Sequence, residues 1–205
     1  MDRNWHEYLA PYNQAVDELK VKLRNIRSQY EMLGKHSPIE FVTGRVKPLA
    51  SILDKHIKKG IPIEEMPDIA GIRMMCQFVE DIPAVVALMK QRSDFTVIEE
   101  KDYISETKES GYRSYHLIIS YPVQMISGEK HIIIELQVRT LAMNFWATIE
   151  HSLNYKYNKQ VPEEIRDRLK RAAEAAHQLD KEMSSIRLEI QEAQKIFQRK
   201  TEKDS

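Results

Sequence analysis

The chain has 205 residues, 42% hydrophobic and 30% charged, which is enough apolar mass for one packed domain with appended helices and excludes a disordered polyelectrolyte. Its 31 basic and 31 acidic residues cancel, so no whole-molecule field can attract a polyanion and any phosphate binding must come from local clusters. No apolar run approaches the roughly 18 residues of a membrane span, Met1 to Tyr8 carry charges and no signal-peptide core, and the lone Cys76 allows no disulfide framework; cytoplasm is the expected compartment.

From Trp5 to Leu33 the apolar positions settle into alternating threes and fours, which predicts helix, with a break expected at Pro11 and an end at Gly34. Ser37, Pro38 and Glu40 resemble a capping box, but Val42, Thr43, Gly44 and Val46 are poor helix formers that alternate, so a strand over 40–47 is favoured. Pro48 then opens a helix that stops near Gly60. A strand over 69–79, a helix over 82–92 capped by Asp81, and a strand over 95–100 make a βαβ-like unit.

After a polar loop over 102–111 come two strands, 113–123 and 130–139, joined through Ser127-Gly128. With those as the turn residues, Ser120 faces Glu135 and His116 faces Arg139. Leu117, Ile119, Tyr121 and Val123 then share the core face with Ile132, Ile134, Leu136 and Val138. His116, Ser120, His131, Glu135, Gln137 and Arg139 share the polar one. Thr140 caps a helix expected to reach Tyr157, with Leu141, Phe145 and Ile149 on its apolar side and Asn144, Ala147 and His151 on another. From Pro162 a final helix repeats Ile165, Leu169, Ala172, Ala176, Leu179, Met183, Ile186, Ile190, Ala193 and Phe197 as heptads, a seam for another helix. The alternative is packing against the Val16 to Leu33 stripe of the same chain. The expected division is 1–34 for the N-terminal helices, 35–158 for the core and 159–205 for the heptad helix.

Glu135 is an acid among Ile132, Ile133, Ile134 and Leu136, so it needs a partner: an arginine, or a hard cation that prefers carboxylate oxygens. Asp68, just before a strand, could supply a second ligand; a metal site and a structural ion pair fit the pattern equally. Arg45, Lys47, Lys55, Lys58 and Lys59 form one basic run, with Arg73, Lys108, Arg113 and Arg139 elsewhere, and Ser51 sits one turn into a helix where hydroxyl and amides can receive phosphate oxygens. A solvated basic surface is the plainer reading of that run. GxxxxGK[ST], GxGxxG and HExxH are all absent, which disfavours P-loop, Rossmann and zinc-protease chemistry.

The stretches GRVKPLASIL (44–53), DIAGIRMMCQF (68–78), KESGYRSYHL (108–117), IELQVRT (134–140) and NFWATIEHSLNYKY (144–157), in this order, resemble the small alarmone synthetases of the RelA/SpoT group, RelQ type. The resemblance implies an α+β fold: a mixed sheet of about five strands flanked by helices, nucleotidyltransferase-like, with long terminal helices. It implies a (p)ppGpp synthetase that moves pyrophosphate from ATP to the 3′ hydroxyl of GDP or GTP. Magnesium is then expected on Asp68 and Glu135, ATP against Arg45, Lys47, Ser51, Lys58 and Arg73, and the acceptor near Lys108, Tyr112, His116, Gln137 and Asn144, with Tyr112 on guanine. It further implies a homotetramer activated by pppGpp at Arg24, Phe41 and Thr43. The His-Asp dipeptide of the family's hydrolase site does not occur, so synthesis without hydrolysis is expected, as is a chain without the regulatory domains of long members. The alternatives are a non-catalytic module for nucleotides or single-stranded RNA on the same fold, and a helical scaffold, which would explain the chain's ends and not its middle.

Overall fold

The computed structural model describes residues 4–156 and 161–203, with the side chains of 155, 156 and 196–203 outside that description. The expected helix end at Tyr157, the division at 158/159 and the side chain of Phe197 therefore lie outside the described residues. In chain order the elements are α1 (Trp5–Met32), β1 (Phe41–Val46), α2 (Leu49–Lys59), a 3-10 turn (Ile63–Glu65), β2 (Ala70–Cys76), α3 (Asp81–Lys90), β3 (Thr96–Asp102), β4 (Tyr115–Met125), β5 (Gly128–Thr140), α4 (Leu141–Lys156) and α5 (Glu163–Lys203).

The strands form one five-stranded sheet in the order β1-β2-β5-β4-β3. Only β2 and β5 pair in parallel; the other neighbours are antiparallel. The expected α+β class with a mixed sheet and long terminal helices is what the chain adopts. The β2-α3-β3 unit is split, because β5 and β4 lie between its strands.

One face of the sheet is the main core. Val42, Ile72, Met74, Leu117, Ile119, Ile134, Leu136 and Val138 alternate onto it and meet Leu19 and Leu23 of α1 and Ile82, Val85 and Met89 of α3. Gly44 lets α1 approach β1: a Cβ there would lie 2.6 Å from Ile72 Cδ1 and 2.8 Å from Val16 Cγ1. A second cluster of Ile52, Ile63, Met66 and Ile69 packs α2 against Trp5, Tyr8 and Leu9.

That second cluster explains why α1 does not break at Pro11 as expected. Trp5, Tyr8 and Leu9 before the proline and Tyr12 after it rest on the same apolar patch, so packing outweighs the one backbone bond that proline removes. The helix ends as expected near Gly34, whose φ of 63° supports a Schellman turn: Lys35 N donates to Tyr30 O and Gly34 N to Glu31 O.

The hairpin register differs from the expected one by two residues. Met125 pairs with Gly128, so the turn residues are Ile126 and Ser127, and Ser120 faces Ile133 while His116 faces Gln137. Gly128, at φ 109°, closes the turn instead of lying inside it. A slip of two keeps every side chain on its face, so burial could reject an odd slip but not this one.

Helix caps and faces also differ in places. Thr140 caps α4 as expected, accepting from Met143 N at 3.1 Å. Asp81 is inside the first turn of α3 and its carboxylate accepts from Arg187 Nη1 of α5 at 2.9 Å, so it serves as a buried tertiary partner and not as the cap. On α4 the buried residues are Met143, Trp146 and Ala147, whereas Leu141, Phe145 and Ile149 point outward, Phe145 being 69% exposed. Trp146 decides the matter, because it packs with Ala173 of α5 and donates to Leu169 O at 2.8 Å. On α5 the inward face is Ala173, Ala176, Asp180, Ser184 and Arg187. The heptad residues Leu179, Met183, Ile186 and Ile190 face outward. The intramolecular alternative for that stripe does not occur, since Val16, Leu19, Leu23 and Ile26 of α1 are spent on the sheet.

Among the described residues, no helix is long and apolar enough to cross a membrane. Cys76 is fully buried, and burial pushes its thiol up to about 12. Labelling by a disulfide reagent near neutral pH should therefore proceed no faster than global opening measured by urea. A rapid stoichiometric reaction of the native protein would contradict this placement.

Candidate active site

Strand pairing builds the site before any side-chain contact is considered. On the polar face Arg45 of β1 lies beside Gly71 of β2, which lies beside Glu135 of β5. The next row is Thr43, Arg73, Gln137 and, on β4, His116. Asp68 enters at the start of β2, and Lys47 follows β1 with its backbone N–H on Ile69 O at 2.7 Å. Over this floor α4 lays Ala147, Glu150 and His151.

The result is a cleft of about 440 Å³ lined by Thr43, Arg45, Lys47, Asp68, Arg73, Tyr112, Glu135, Gln137 and Arg139. It adjoins a second compartment of about 720 Å³ that is lined by Ser51, Lys55, Lys58 and Lys59 of α2, and Lys47, Asp68, Glu150 and His151 line both. A two-compartment cleft suits two phosphorylated ligands side by side, with Asp68 where the compartments meet and Glu135 on the floor of the first.

Both carboxylates are held by donors. Lys47 Nζ meets Asp68 Oδ2 at 2.5 Å and Lys55 Nζ meets Oδ1 at 2.7 Å. Burial alone would raise the Asp68 carboxyl, but the hydrogen bonds and charges of the two lysines prevail and lower it. Glu135 takes His116 Nδ1 on Oε1 at 3.0 Å and Gln137 Nε2 on Oε2 at 2.7 Å. Here too burial raises, and the bond and charge of His116 followed by the bond from Gln137 outweigh it, so the carboxyl titrates below its ordinary value.

The bonds around Glu135 close into a ring. His116 Nε2 and Tyr112 Oη are 2.8 Å apart, Arg139 Nη2 donates to Tyr112 Oη at 3.0 Å, and the same Arg139 nitrogen donates to Gln137 Oε1. Tyr112 also stands edge-on to Tyr103, with centroids 5.9 Å apart, and lies 5.0 Å from Lys108 Nζ.

Most of the residues singled out from sequence converge here. Arg45, Lys47, Asp68, Arg73, Tyr112, Glu135 and Gln137 line the first compartment, and Ser51 and Lys58 line the second. His116 sits behind Glu135, and Lys108 stands over Tyr103 at 4.1 Å. Asn144 is not among the lining residues; its Oδ1 is buried without a hydrogen-bond partner. Of the remaining three, Thr43 lines the cleft, Phe41 is 42% exposed on edge strand β1, and Arg24 reaches from α1 to Val42 O at 3.4 Å.

Four charged or titratable residues of the cleft carry no role in the sequence reading: Lys55, Arg139, His151 and Glu150, the last lining both compartments. Lys55 belongs to the basic run, but nothing in the sequence places it beside Asp68, which it meets at 2.7 Å. Arg139 lies two residues beyond Gln137, so strand parity puts it in the cleft; burial lowers its affinity for the proton. His151, whose proton affinity is lowered by burial and then by Arg45 and Arg73, falls by its spacing on the α4 face of Ala147, which by itself points to no chemistry.

Among the described residues no three His, Cys, Asp or Glu side chains converge as a metal cage. Asp68 and Glu135 could instead hold a cation of the kind bound by one or two carboxylates and completed by phosphate oxygens, as magnesium is.

A mixed sheet with paired carboxylates and an arc of arginines and lysines around a two-compartment cleft defines a nucleotide-dependent phosphotransferase. Residues 44–160 match the model of the region found in RelA/SpoT proteins. The chain is 63% identical over 202 residues to GTP pyrophosphokinase YjbM of Bacillus subtilis, covering 97% of this chain and 96% of that protein. Small alarmone synthetase 1 of Bacillus subtilis bound to its product pppGpp superimposes with a TM-score of 0.89 at 63% identity, covering 93% of this chain and all of that one. The same enzyme bound to AMPCPP gives 0.82 at 58% identity, again over 93% and 100%. The chain belongs to the RelA/SpoT family, and within it to the small alarmone synthetases of RelQ type.

The lowered carboxyls have a consequence for stability. Their ionised forms contribute above the unfolded values of about 4, and that contribution is lost as pH falls through the lower folded values. The urea midpoint should therefore drop on acidification from about pH 6 to about pH 3, and drop less steeply in Asp68→Asn. Parallel profiles for parent and variant would show that the lysine pair does not stabilise Asp68.

Proposed function

We infer that the cleft transfers pyrophosphate from ATP to the 3′ hydroxyl of GDP or GTP. The chain is a GTP pyrophosphokinase that makes (p)ppGpp. The observation that carries this reading is the meeting of two compartments at Asp68, with Glu135 across Gly71 from Arg45.

ATP lies along the β1–α2 side. Arg45 and Arg73 flank the adenine, while Lys47, Ser51, Lys55 and Lys58 face its phosphates. The acceptor lies on the β4–β5 side, guanine against Tyr112, with Lys108, His116, Gln137 and Asn144 around it. The acceptor oxygen attacks the β-phosphorus in line and AMP leaves. Positioning and charge neutralisation supply most of the acceleration, as in phosphoryl transfer generally.

Glu135 orients the attacking hydroxyl and accepts its proton; His116, bonded to the same carboxylate at 3.0 Å, fixes its rotamer. Asp68 and Glu135 would hold a magnesium ion, which neutralises phosphate charge when bound. The outward stripes of α4 and α5 support assembly as a homotetramer. Arg24, Phe41 and Thr43, gathered along β1, form the site for pppGpp as activator, and β1 links that site to the catalytic cleft through Arg45. A module that binds nucleotide or single-stranded RNA without catalysis would have no use for Asp68 and Glu135 in one cleft.

With labelled ATP and GTP, product separated by thin-layer chromatography should fall by about 10²–10³ in Asp68→Ala and in Glu135→Ala, the typical cost of losing one preorganised electrostatic contact. Activity within a few-fold of the parent in either variant would overturn the assignment. Light scattering should report a tetramer that Leu179→Asp with Ile186→Asp dissociates, and stimulation by pppGpp should vanish in Phe41→Ala. A monomeric parent at micromolar concentration would remove the assembly from this reading.

A further inference from the structure

The loop that carries Lys108 and ends at Tyr112 is exposed over residues 105–110. At its start Asp102 Oδ1 accepts from Ile104 N at 2.8 Å and Ser105 N at 3.1 Å, a local turn that fixes the exit from β3. At its end Gly111 N donates to Lys108 O at 2.8 Å, closing a tight turn immediately before Tyr112.

What fixes the end of the loop in space is α5. Gly111 has φ 89°, and a Cβ built on it would lie 2.4 Å from Ala173 Cβ, so neither a side chain nor ordinary backbone geometry is available there. Arg113, on the other side of Tyr112, donates to Ala173 O at 3.4 Å and lies 3.6 Å from Glu174. Beneath Tyr112 the Trp146 ring, 6.5 Å away between centroids, is tied to Leu169 O. Leu169, Ala173 and Glu174 thus hold the residues before, after and below the guanine-stacking ring, although none of them lines the catalytic cleft.

We propose that α5 is the seat of the acceptor loop, with Ala173 a positioning residue whose contact with Gly111 sets the ring of Tyr112 and thereby the use of the guanine nucleotide. The proposal rests on the assignment of Tyr112 to the acceptor. A seat of this kind acts on one substrate only. The ATP groups stand on β1, β2 and α2, and a displacement of Gly111 by a few tenths of an ångström moves Tyr112 and leaves those elements in place.

Three variants test it by steady-state kinetics with each nucleotide varied in turn and by calorimetric titration of AMPCPP. Ala173→Val, which thickens the seat, should raise KM for GTP about tenfold, a fraction of the stacking contribution, with KM for ATP and AMPCPP affinity unchanged. Ala173→Ser, which keeps the size, should behave as the parent. Arg113→Gln, which leaves the Gly111 contact intact, should give the same one-sided rise to a smaller degree and keeps the test open if Ala173→Val does not fold. Equal rises for both nucleotides would assign α5 a merely structural role and overturn the proposal, as would a parent-like GTP KM in well-folded Ala173→Val. Tyr112→Ala separates the two layers. A GTP defect there without one in the seat variants sinks the seat alone, whereas a parent-like Tyr112→Ala sinks the acceptor assignment and the seat with it.

Discussion

Removing a carboxylate from water is among the costliest acts in a fold unless donors replace the lost hydration, and this chain does so twice on one face of one sheet. Asp68 is answered by two lysines from different elements, Lys47 after β1 and Lys55 on α2. Glu135 is answered by His116 on β4 and Gln137 on its own strand. Those four donors tie together β1, α2, β4 and β5, so the charge balance of the site and the relative placement of its walls are one requirement. The opposite face, filled by aliphatic side chains and covered by α1 and α3, makes the sheet rigid enough to impose it.

Period-2 alternation was enough to sort β4 and β5 into core and polar faces, and it correctly put His116, Glu135 and Gln137 together. It could not set the pairing to the residue, because a shift of two preserves every face and Gly128 reads as a turn residue whether it lies inside the turn or closes it. The same parity places Arg139 in the cleft, yet a lone arginine at a strand end gave no chemical reason to include it. Helix α4 shows another limit: its apolar residues fall on two faces, and only the presence of α5 selects Met143, Trp146 and Ala147 as the buried one. Pro11 failed as a breaker because the patch beneath it is built from residues some fifty positions later in the chain. The motifs that carried the family resemblance all lie on cleft-forming elements, so the active site could be read more fully than the packing that supports it.

Helix α5 divides its labour between faces. Its inward side uses small and polar residues, Ala173, Asp180 and Ser184, which allow close approach and specific bonds: Asp180 accepts from Thr140 at 2.7 Å, and Ser184 donates to Glu80 at 2.7 Å. Beyond Ala176 its large apolar residues, Leu179, Met183, Ile186 and Ile190, are turned outward. Docking by polar bonds and steric fit fixes orientation with little apolar area, and leaves the large side chains for other contacts.

The parallel pairing of β2 with β5 has a consequence for how the chain reaches its native state. It joins Ala70 to Ile134 across a stretch that includes α3, β3 and β4. Such a closure costs chain entropy before any contact returns it, so non-local parallel pairing is a slow event in folding. Asp68 and Glu135 meet only once that event is complete. A partly folded chain with α1, α3 and the β3–β4–β5 antiparallel set in place would carry every site residue and no site. Any ligand gripped from both central strands stabilises the fully paired sheet alone, by RT ln(1 + [L]/Kd). The fraction of chains that are completely folded thus depends on the nucleotide supply they serve.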